Sequence, residues 1–178
     1  MNVTVFGGSQ PQPDSPAYEQ AYELGKLLAH AGHAVLTGGY IGTMEAVSKG
    51  ANEAGGYVIG VTCDEIEKWR TVKANAWVQE ERRFTTLQER LNELIHGCDA
   101  AIALPGGPGT LTEIAYTWNL MIIHSIPTKP LILVGAGWKS VFDEMFHSLG
   151  EVTPPRQREL LRFVPNIQMA IPMLKDNN

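Results

Sequence analysis

The 178-residue chain has little cysteine and little histidine, and both shortages exclude common classes of site. Its two cysteines, Cys63 and Cys98, lie far apart in no CxxC or metal-ligand spacing. A disulfide framework is therefore excluded, and we expect two reduced, partly buried thiols. The five histidines are scattered without a pair at ligand spacing, so we expect no metal site.

Excess positive charge and long apolar runs are also missing. The chain has 14 basic and 19 acidic residues and a net charge of −5. This negative charge argues against a nucleic-acid partner. No apolar run is long enough to span a bilayer and no basic leader opens the chain, so we expect no membrane partner and a cytoplasmic location. An anionic small molecule still suits this composition, because loop N–H groups bind anions without a basic surface.

What the sequence does contain is a regular alternation of strand and helix patterns. Short apolar runs predict strands at 3–6, 34–37, 57–61, 100–104 and 130–134. Helical spacing predicts helices at 16–31, 43–54, 85–96 and 110–123. Residues 62–84 are predicted to be irregular, the tail after Pro154-Pro155 to hold one or two short helices, and residues 176–178 to be frayed.

Near-continuous apolar strands separated by helices indicate an α/β fold with a Rossmann-like, doubly wound parallel sheet, in one domain over residues 1–178. Right-handed crossovers place every strand's carboxyl end at one edge, where such sheets bind ligands. Three of these ends carry glycine loops, and glycine lets N–H groups approach an anion. We therefore predict phosphate contacts from Gly7, Gly8, Ser9, Gly38, Gly39, Thr43, Gly106, Gly107, Gly109 and Thr110.

Neither of the common nucleotide motifs explains these loops. No lysine follows the glycines, so the GxxxxGK[ST] triphosphate loop is absent. The Gly7-Gly8-Ser9 segment lacks GxGxxG spacing, so a dinucleotide-binding loop is a poor match.

Two carboxylates near the loops each have two interpretations. Glu113 follows Thr110 by three residues, so it is either the partner of Thr110 in a capping box or a carboxylate beside a bound sugar phosphate. Glu45 is either an acid favoured by a helix N-terminus or a second carboxylate of the site. Arg90, on the preceding helix, taken alone is typical of an exposed helix arginine.

The segment PGGPGTLTE (Pro105 to Glu113) resembles the PGGxGTxxE signature of the Lonely Guy (LOG) family. VFGGS, LTGGYIGTMEAVSKGANEAGGYVIGV and CDAAIALPGG are also similar, so the resemblance covers about residues 3–134. It implies a cytokinin riboside 5′-monophosphate phosphoribohydrolase, which hydrolyses the N-glycosidic bond of a nucleoside 5′-monophosphate without a cofactor. It also implies Arg90 and Glu113 as the catalytic pair, and a homodimer or larger even oligomer with the site near the subunit interface.

The sequence departs from the family pattern in two places and leaves two questions open. Leu91 stands where the family usually has lysine after the arginine, and Pro108 stands at an often aromatic position. A non-catalytic molybdenum-cofactor carrier is the alternative, because similar segments occur there. The base preference is open, with Met121 and residues 69–84 as candidates for a hydrophobic rim that reads the base.

Overall fold

A computed structural model describes residues 1–175, which contain one seven-stranded sheet with helices on both faces. Every strand pairing is parallel. The strands are β1 (Asn2–Phe6), β2 (Ala34–Thr37), β3 (Val58–Cys63), β4 (Glu80–Phe84), β5 (Ala100–Ala103), β6 (Leu131–Val134) and β7 (Leu161–Val164).

Eight α-helices connect these strands or follow them. They are α1 (Pro16–His30), α2 (Thr43–Glu53), α3 (Asp64–Trp69), α4 (Leu87–His96), α5 (Pro108–Ile122), α6 (Ala136–Ser148), α7 (Pro155–Arg158) and α8 (Ile167–Ala170). Two short 3₁₀ turns lie at Gly150–Val152 and Pro172–Leu174. Within residues 1–175, no helix has the length and apolar character that a membrane span needs.

The strand order β4-β3-β2-β1-β5-β6-β7 places the topological switch point between β1 and β5. The chain winds outward from β1 to β4, crosses back to β5 beside β1, and then winds outward in the other direction. Phe6 pairs with Ala103 at the ends of these two strands, so the loops that follow them emerge side by side. This confirms the predicted Rossmann-like doubly wound fold, and it puts two glycine loops where such sheets bind ligands.

Two apolar clusters, one on each face, hold the helices to the sheet. One joins the sheet to α1, α2 and α8, and the other joins it to α4, α5 and α6. Every residue of β3, β5 and β6 is buried. Burial on both faces explains why these strands are near-continuous apolar runs in the sequence.

The prediction of an irregular segment at 62–84 is wrong. The segment contains the end of β3, the helix α3 and the edge strand β4. β4 carries the sequence EERRF, and its residues alternate between partly buried and exposed. Charged side chains protect an edge strand against pairing with other chains, and for that reason this strand lacks the apolar run that marks a buried one.

Smaller differences affect the helix ends and the tail. The helix predicted from 85 begins at Leu87, because Thr86 caps it in a capping box with Glu89. The helix predicted from 110 begins at Pro108. The tail holds two predicted short helices but also the edge strand β7, which pairs with β6. The fraying predicted for residues 176–178 lies outside the described residues.

Glycines let α1 and α2 pack closely, which gives a testable prediction. A Cβ on Gly50 would overlap the main-chain carbonyl of Tyr22, whereas a Cβ on Gly137, also helical, meets nothing within 4 Å. We expect Gly50→Ala to destabilise the fold by about 1–3 kcal/mol, because backbone must move. Gly137→Ala is expected to be neutral or to stabilise by up to about 1 kcal/mol. Urea unfolding of both variants checks this, and equal midpoints would contradict the close packing.

Candidate active site

A cleft of about 480 Å³ opens at the carboxyl edge of the sheet, beside the switch point. The loops after β1, β2 and β5, the N-terminal ends of α2 and α5, α4 and the segment after β3 form its walls. The lining residues are Gly7, Gly8, Ser9, Gln10, Tyr40, Ile41, Met44, Ile66, Trp69, Arg70, Val72, Leu87, Arg90, Leu91, Gly107, Pro108, Gly109, Thr110, Thr112 and Glu113.

The two central loops are in direct contact through their main chains. The Gly8 N–H donates to the Pro105 carbonyl at 3.3 Å. A Cβ on Gly106 would overlap the Thr110 hydroxyl, so only glycine fits there. The Thr43 N–H donates to the Gly8 carbonyl at 3.0 Å, which ties the first loop to the α2 N-terminus. The absence of side chains thus lets the main chains of both loops approach each other and reach the cleft.

The N-terminus of α5 opens onto the cleft without a capping side chain. Its N-cap is Gly107, and no acidic residue lies in its first turn. The first N–H groups of a helix have no intrahelical partner and form the positive end of its dipole. Gly107, Gly109 and Thr110 all line the cleft here. This geometry suits an anionic group such as phosphate.

Glu113 is the sixth residue of α5, one turn further along than a capping residue. A capping box with Thr110 is therefore excluded, since Gly107 is the N-cap and Thr110 already lies inside the helix. Burial raises the pKa of Glu113 to about 7, and the nearby charge of Arg90 partly offsets this rise. The side chain keeps partial exposure to the cleft, although protein surrounds it on its other sides.

Arg90 is buried, unlike the exposed helix arginine that its sequence context alone suggests. It lies on α4 with 6% of its surface exposed. Its Nε donates to the Val61 carbonyl at 2.7 Å and its Nη2 to the Gly38 carbonyl at 3.0 Å. The guanidinium also lies 5.6 Å from the ring centroid of Tyr40. These contacts hold one fixed cation in the cleft wall, close enough to Glu113 to act on its pKa.

Four predicted phosphate residues do not line the cleft. Gly38 accepts the hydrogen bond from Arg90, and a Cβ there would overlap the guanidinium. The Gly39 carbonyl accepts from the Asn75 N–H at 2.8 Å. Thr43 is 2% exposed and packs against Gly7, and Gly106 packs against Thr110. In this structure these residues shape the loops, whereas Gly7, Gly8, Ser9, Gly107, Gly109 and Thr110 line the cleft.

Glu45 belongs to the helix N-terminus and not to the cleft lining. It lies in the first turn of α2. Burial, with the neighbouring charge of Glu45 adding to it, raises the pKa of Tyr18 to about 12. Glu45 therefore faces α1, in agreement with the first of its two interpretations.

One wall of the cleft comes from a segment that the sequence predicts to be irregular. Ile66, Trp69, Arg70 and Val72 form it, and they belong to α3 and the residues that follow. The position of this segment directly after the buried strand β3 was the signal that could have revealed it, because that strand end reaches the same edge of the sheet. Of the two candidates for a hydrophobic rim, the segment from 69 contributes and Met121 does not. Met121 is 1% exposed and belongs to the core.

The cysteines and the other potential metal ligands were also compared with the expectations from the sequence. Cys63 and Cys98 are free and buried, as the sequence predicts. In the part of the chain that the structure describes, no three His, Cys, Asp or Glu side chains come together to hold a metal ion.

Fold and cleft together define a doubly wound α/β protein whose cleft combines an uncapped helix N-terminus with one buried arginine and one carboxylate. A sequence model of the SLOG cluster4 family matches residues 1–153. The chain therefore belongs to the SLOG, or Lonely Guy, family, and the resemblance seen in PGGPGTLTE is confirmed.

Two of the similar proteins are from plants. Cytokinin riboside 5′-monophosphate phosphoribohydrolase LOG3 of Arabidopsis thaliana is 30% identical over 178 residues, covering 98% of this chain and 81% of LOG3. The probable cytokinin riboside 5′-monophosphate phosphoribohydrolase LOGL5 of Oryza sativa subsp. japonica is 33% identical over 88% of this chain. The chain spans only 64% of the length of LOGL5.

Solved structures with this fold include the molybdenum cofactor binding protein of the phototrophic bacterium Rippkaea orientalis. It superposes with a TM-score of 0.75 at 28% identity, covering 97% of this chain and 93% of that one.

Proposed function

We propose that this protein hydrolyses the N-glycosidic bond of a nucleoside 5′-monophosphate, giving a free adenine-type base and ribose 5-phosphate. The observation that carries the proposal is the joint position of Glu113 and Arg90 in one cleft with the uncapped N-terminus of α5. The activities for which the plant relatives are named support the same reaction.

In this proposal the 5′-phosphate lies against the α5 N-terminus. The N–H groups of the loop and first turn donate to its oxygens, and the helix dipole stabilises its charge. Gly107, Gly109 and Thr110 provide these contacts, and Gly7 and Gly8 line the cleft beside them. The Gly8 N–H is not among the donors, because it is used on the Pro105 carbonyl. Anchoring the phosphate there places the ribose further along α5, in the direction of Glu113.

Glu113 then acts at the sugar. Cleavage of the glycosidic bond develops positive charge at C1′, and a fixed carboxylate stabilises that charge more than it stabilises the neutral substrate. Water adds to C1′, the bond to the base nitrogen breaks, and the base leaves with a proton. The ionised carboxylate stabilises the charge at C1′, and its raised pKa of about 7 suits it to orient the water.

Arg90 is a fixed positive charge that we assign to the departing base. Its hydrogen bonds to the Val61 and Gly38 carbonyls prevent it from swinging away. We propose that it positions the substrate and offsets the negative charge that develops on the departing base.

A molybdenum-cofactor carrier is the second candidate, and the similarity to the Rippkaea orientalis protein favours it. The same loops would hold the phosphate of that cofactor. A carrier has no use for a half-buried carboxylate beside a fixed arginine, so the cleft supports the hydrolase better. Incubation with AMP separates the two: the hydrolase releases adenine, and a carrier binds without turnover. A panel of nucleoside monophosphates with and without N6 tails then gives the base preference.

We also propose that the protein acts in the cytoplasm as a homodimer or larger even oligomer. A groove of about 980 Å³ between α4 and α5 supports the assembly, because it shares Leu87 and Leu91 with the cleft and exposes Leu111. A second copy that covers this groove would place the site near the subunit interface.

Light scattering checks the oligomer. At micromolar concentration we expect at least twice the chain mass of 19.5 kDa. Leu111→Glu is expected to shift the protein to monomer, because it places charge on the apolar groove. Val141→Glu is the control, since Val141 is similarly exposed on α6 and does not line the groove. A monomeric wild-type protein would contradict the proposal.

A further inference from the structure

We propose that Arg70 is a second anion-binding residue of this cleft, which together with Ser9 contacts the phosphate of the substrate from the side opposite α5. Of the residues that line the cleft, Arg70 and Arg90 are the cations. Arg90 uses its Nε and Nη2 on main-chain carbonyls. Arg70 makes one side-chain hydrogen bond, from Nη1 to the Ser9 hydroxyl at 3.1 Å.

The main chain fixes Arg70 at the mouth of the cleft. It is the C-cap of α3, and its N–H donates to the Ile66 carbonyl at 2.8 Å. A few residues later the Asn75 amide donates to the Gly39 and Tyr40 carbonyls, which ties the segment to the second glycine loop. The segment is held at both ends, and from this position the guanidinium reaches the Ser9 hydroxyl.

No carboxylate neutralises Arg70 within residues 1–175, although α3 is acidic. Asp64 pairs with Arg83 at 2.7 Å, and Glu67 pairs with both Arg83 and Lys73 at 2.9 Å. Glu65 accepts from the Leu87 N–H at 2.8 Å. Every acid of α3 is therefore used elsewhere, and the positive charge of Arg70 is available to a ligand.

The remaining contact of Arg70 holds its guanidinium without cancelling its charge. The guanidinium lies 4.2 Å from the ring centroid of Trp69, a stacking distance. A planar guanidinium that is stacked on one face keeps its N–H edge free for phosphate oxygens, and arginine binds such oxygens with two parallel hydrogen bonds. The Arg70 guanidinium and the Ser9 hydroxyl therefore lie together and provide hydrogen-bond donors of the kind that bind an anion.

The inference rests on the proposed function for the identity of the anion, a sugar 5-phosphate. The probe is ribose 5-phosphate, titrated by calorimetry into the wild-type protein and into Arg70→Met, with AMP kinetics measured beside it. We expect Arg70→Met to raise the Kd of ribose 5-phosphate and the KM of AMP by about 10- to 100-fold, the effect of losing charge-assisted hydrogen bonds. We expect kcat to change by less than about fivefold, because the proposal places Arg70 on the phosphate and not at the glycosidic bond.

Lys68→Met is the matched control, because it removes the same charge from an exposed side chain two positions away that does not line the cleft. It is expected to leave Kd and KM unchanged, and Arg70→Lys is expected to restore part of the affinity. An unchanged Kd in Arg70→Met, or a wild-type protein that does not bind ribose 5-phosphate, overturns the inference. If the wild-type protein binds ribose 5-phosphate through Arg70 but releases no base from AMP, the proposed function fails and the anion site stands.

Discussion

Replacing Glu113 with glutamine is expected to lower kcat for nucleoside monophosphate hydrolysis by about 10²–10⁴, the usual range for a lost electrostatic or acid–base group. Glutamine keeps the size of the side chain and removes its charge. The substrate should still bind, because the glycine loops that line the cleft remain unchanged. The measurements are kcat and the Kd of ribose 5-phosphate for the wild-type protein and the variant.

Stability provides the control for this variant. Because burial raises the pKa of Glu113 to about 7, the folded protein holds this proton more tightly than the unfolded chain does. The protonated Glu113 carboxyl group therefore contributes to the free energy of unfolding at low pH. This contribution is lost as pH rises through about 7. Above that pH, Glu113→Gln should unfold at the same temperature as wild type or a higher one. Normal kcat with a lowered melting temperature would show a purely structural role and end the catalytic assignment.

The same pKa predicts a pH profile. The mechanism needs the ionised carboxylate, so kcat/KM should fall as pH drops through about 7, the value for the free protein. The substrate phosphate also changes its charge in this pH range, because its second pKa is about 6. The Glu113→Gln profile is therefore the reference, and it should lack the step near 7. Identical profile shapes would contradict the role of Glu113 as the ionising group.

Removing the 5′-phosphate from the substrate is expected to have an effect of similar size. AMP should exceed adenosine in kcat/KM by about 10²–10⁴, because two or more charge-assisted hydrogen bonds of about 1.5–3 kcal/mol each are lost. The loop N–H groups and the α5 N-terminus provide these bonds, and Gly107 carries no side chain that could replace the ligand there.

Inhibition by ribose 5-phosphate and by ribose gives a matched comparison that isolates the contribution of the phosphate. Ribose 5-phosphate should compete with AMP, and ribose at the same concentration should not. Equal turnover of AMP and adenosine would contradict the phosphate site, while leaving the assignment of Glu113 open to its own test.

The sequence predicted the central part of the fold because that part is buried on both faces. Strands such as β3 and β5 consist of buried residues throughout, and their apolar runs are visible without a structure. Edge strands have one free edge and weaker burial, so β4 with its charged residues carries no such signal. The glycine loops were predictable for a related reason: their positions follow from where the buried strands end.

The site was predictable where it depends on local chain geometry and unpredictable where it depends on tertiary contacts. Glu113 and the α5 N-terminus lie within one segment, and the signature in the sequence contains both. The burial of Arg90 arises from carbonyls of Val61 and Gly38, which are distant in sequence. The wall at Trp69 and Arg70 belongs to a segment between β3 and the edge strand β4 that has no clear apolar periodicity, so its closeness to Ser9 appears only in three dimensions.

The most direct test of the proposed reaction is the product balance of AMP incubated with purified wild-type protein. We predict equal amounts of free adenine and ribose 5-phosphate, no inorganic phosphate, and a rate that falls by about 10²–10⁴ in Glu113→Gln. Release of adenosine and phosphate, or the absence of any turnover across a panel of nucleoside monophosphates, would contradict it.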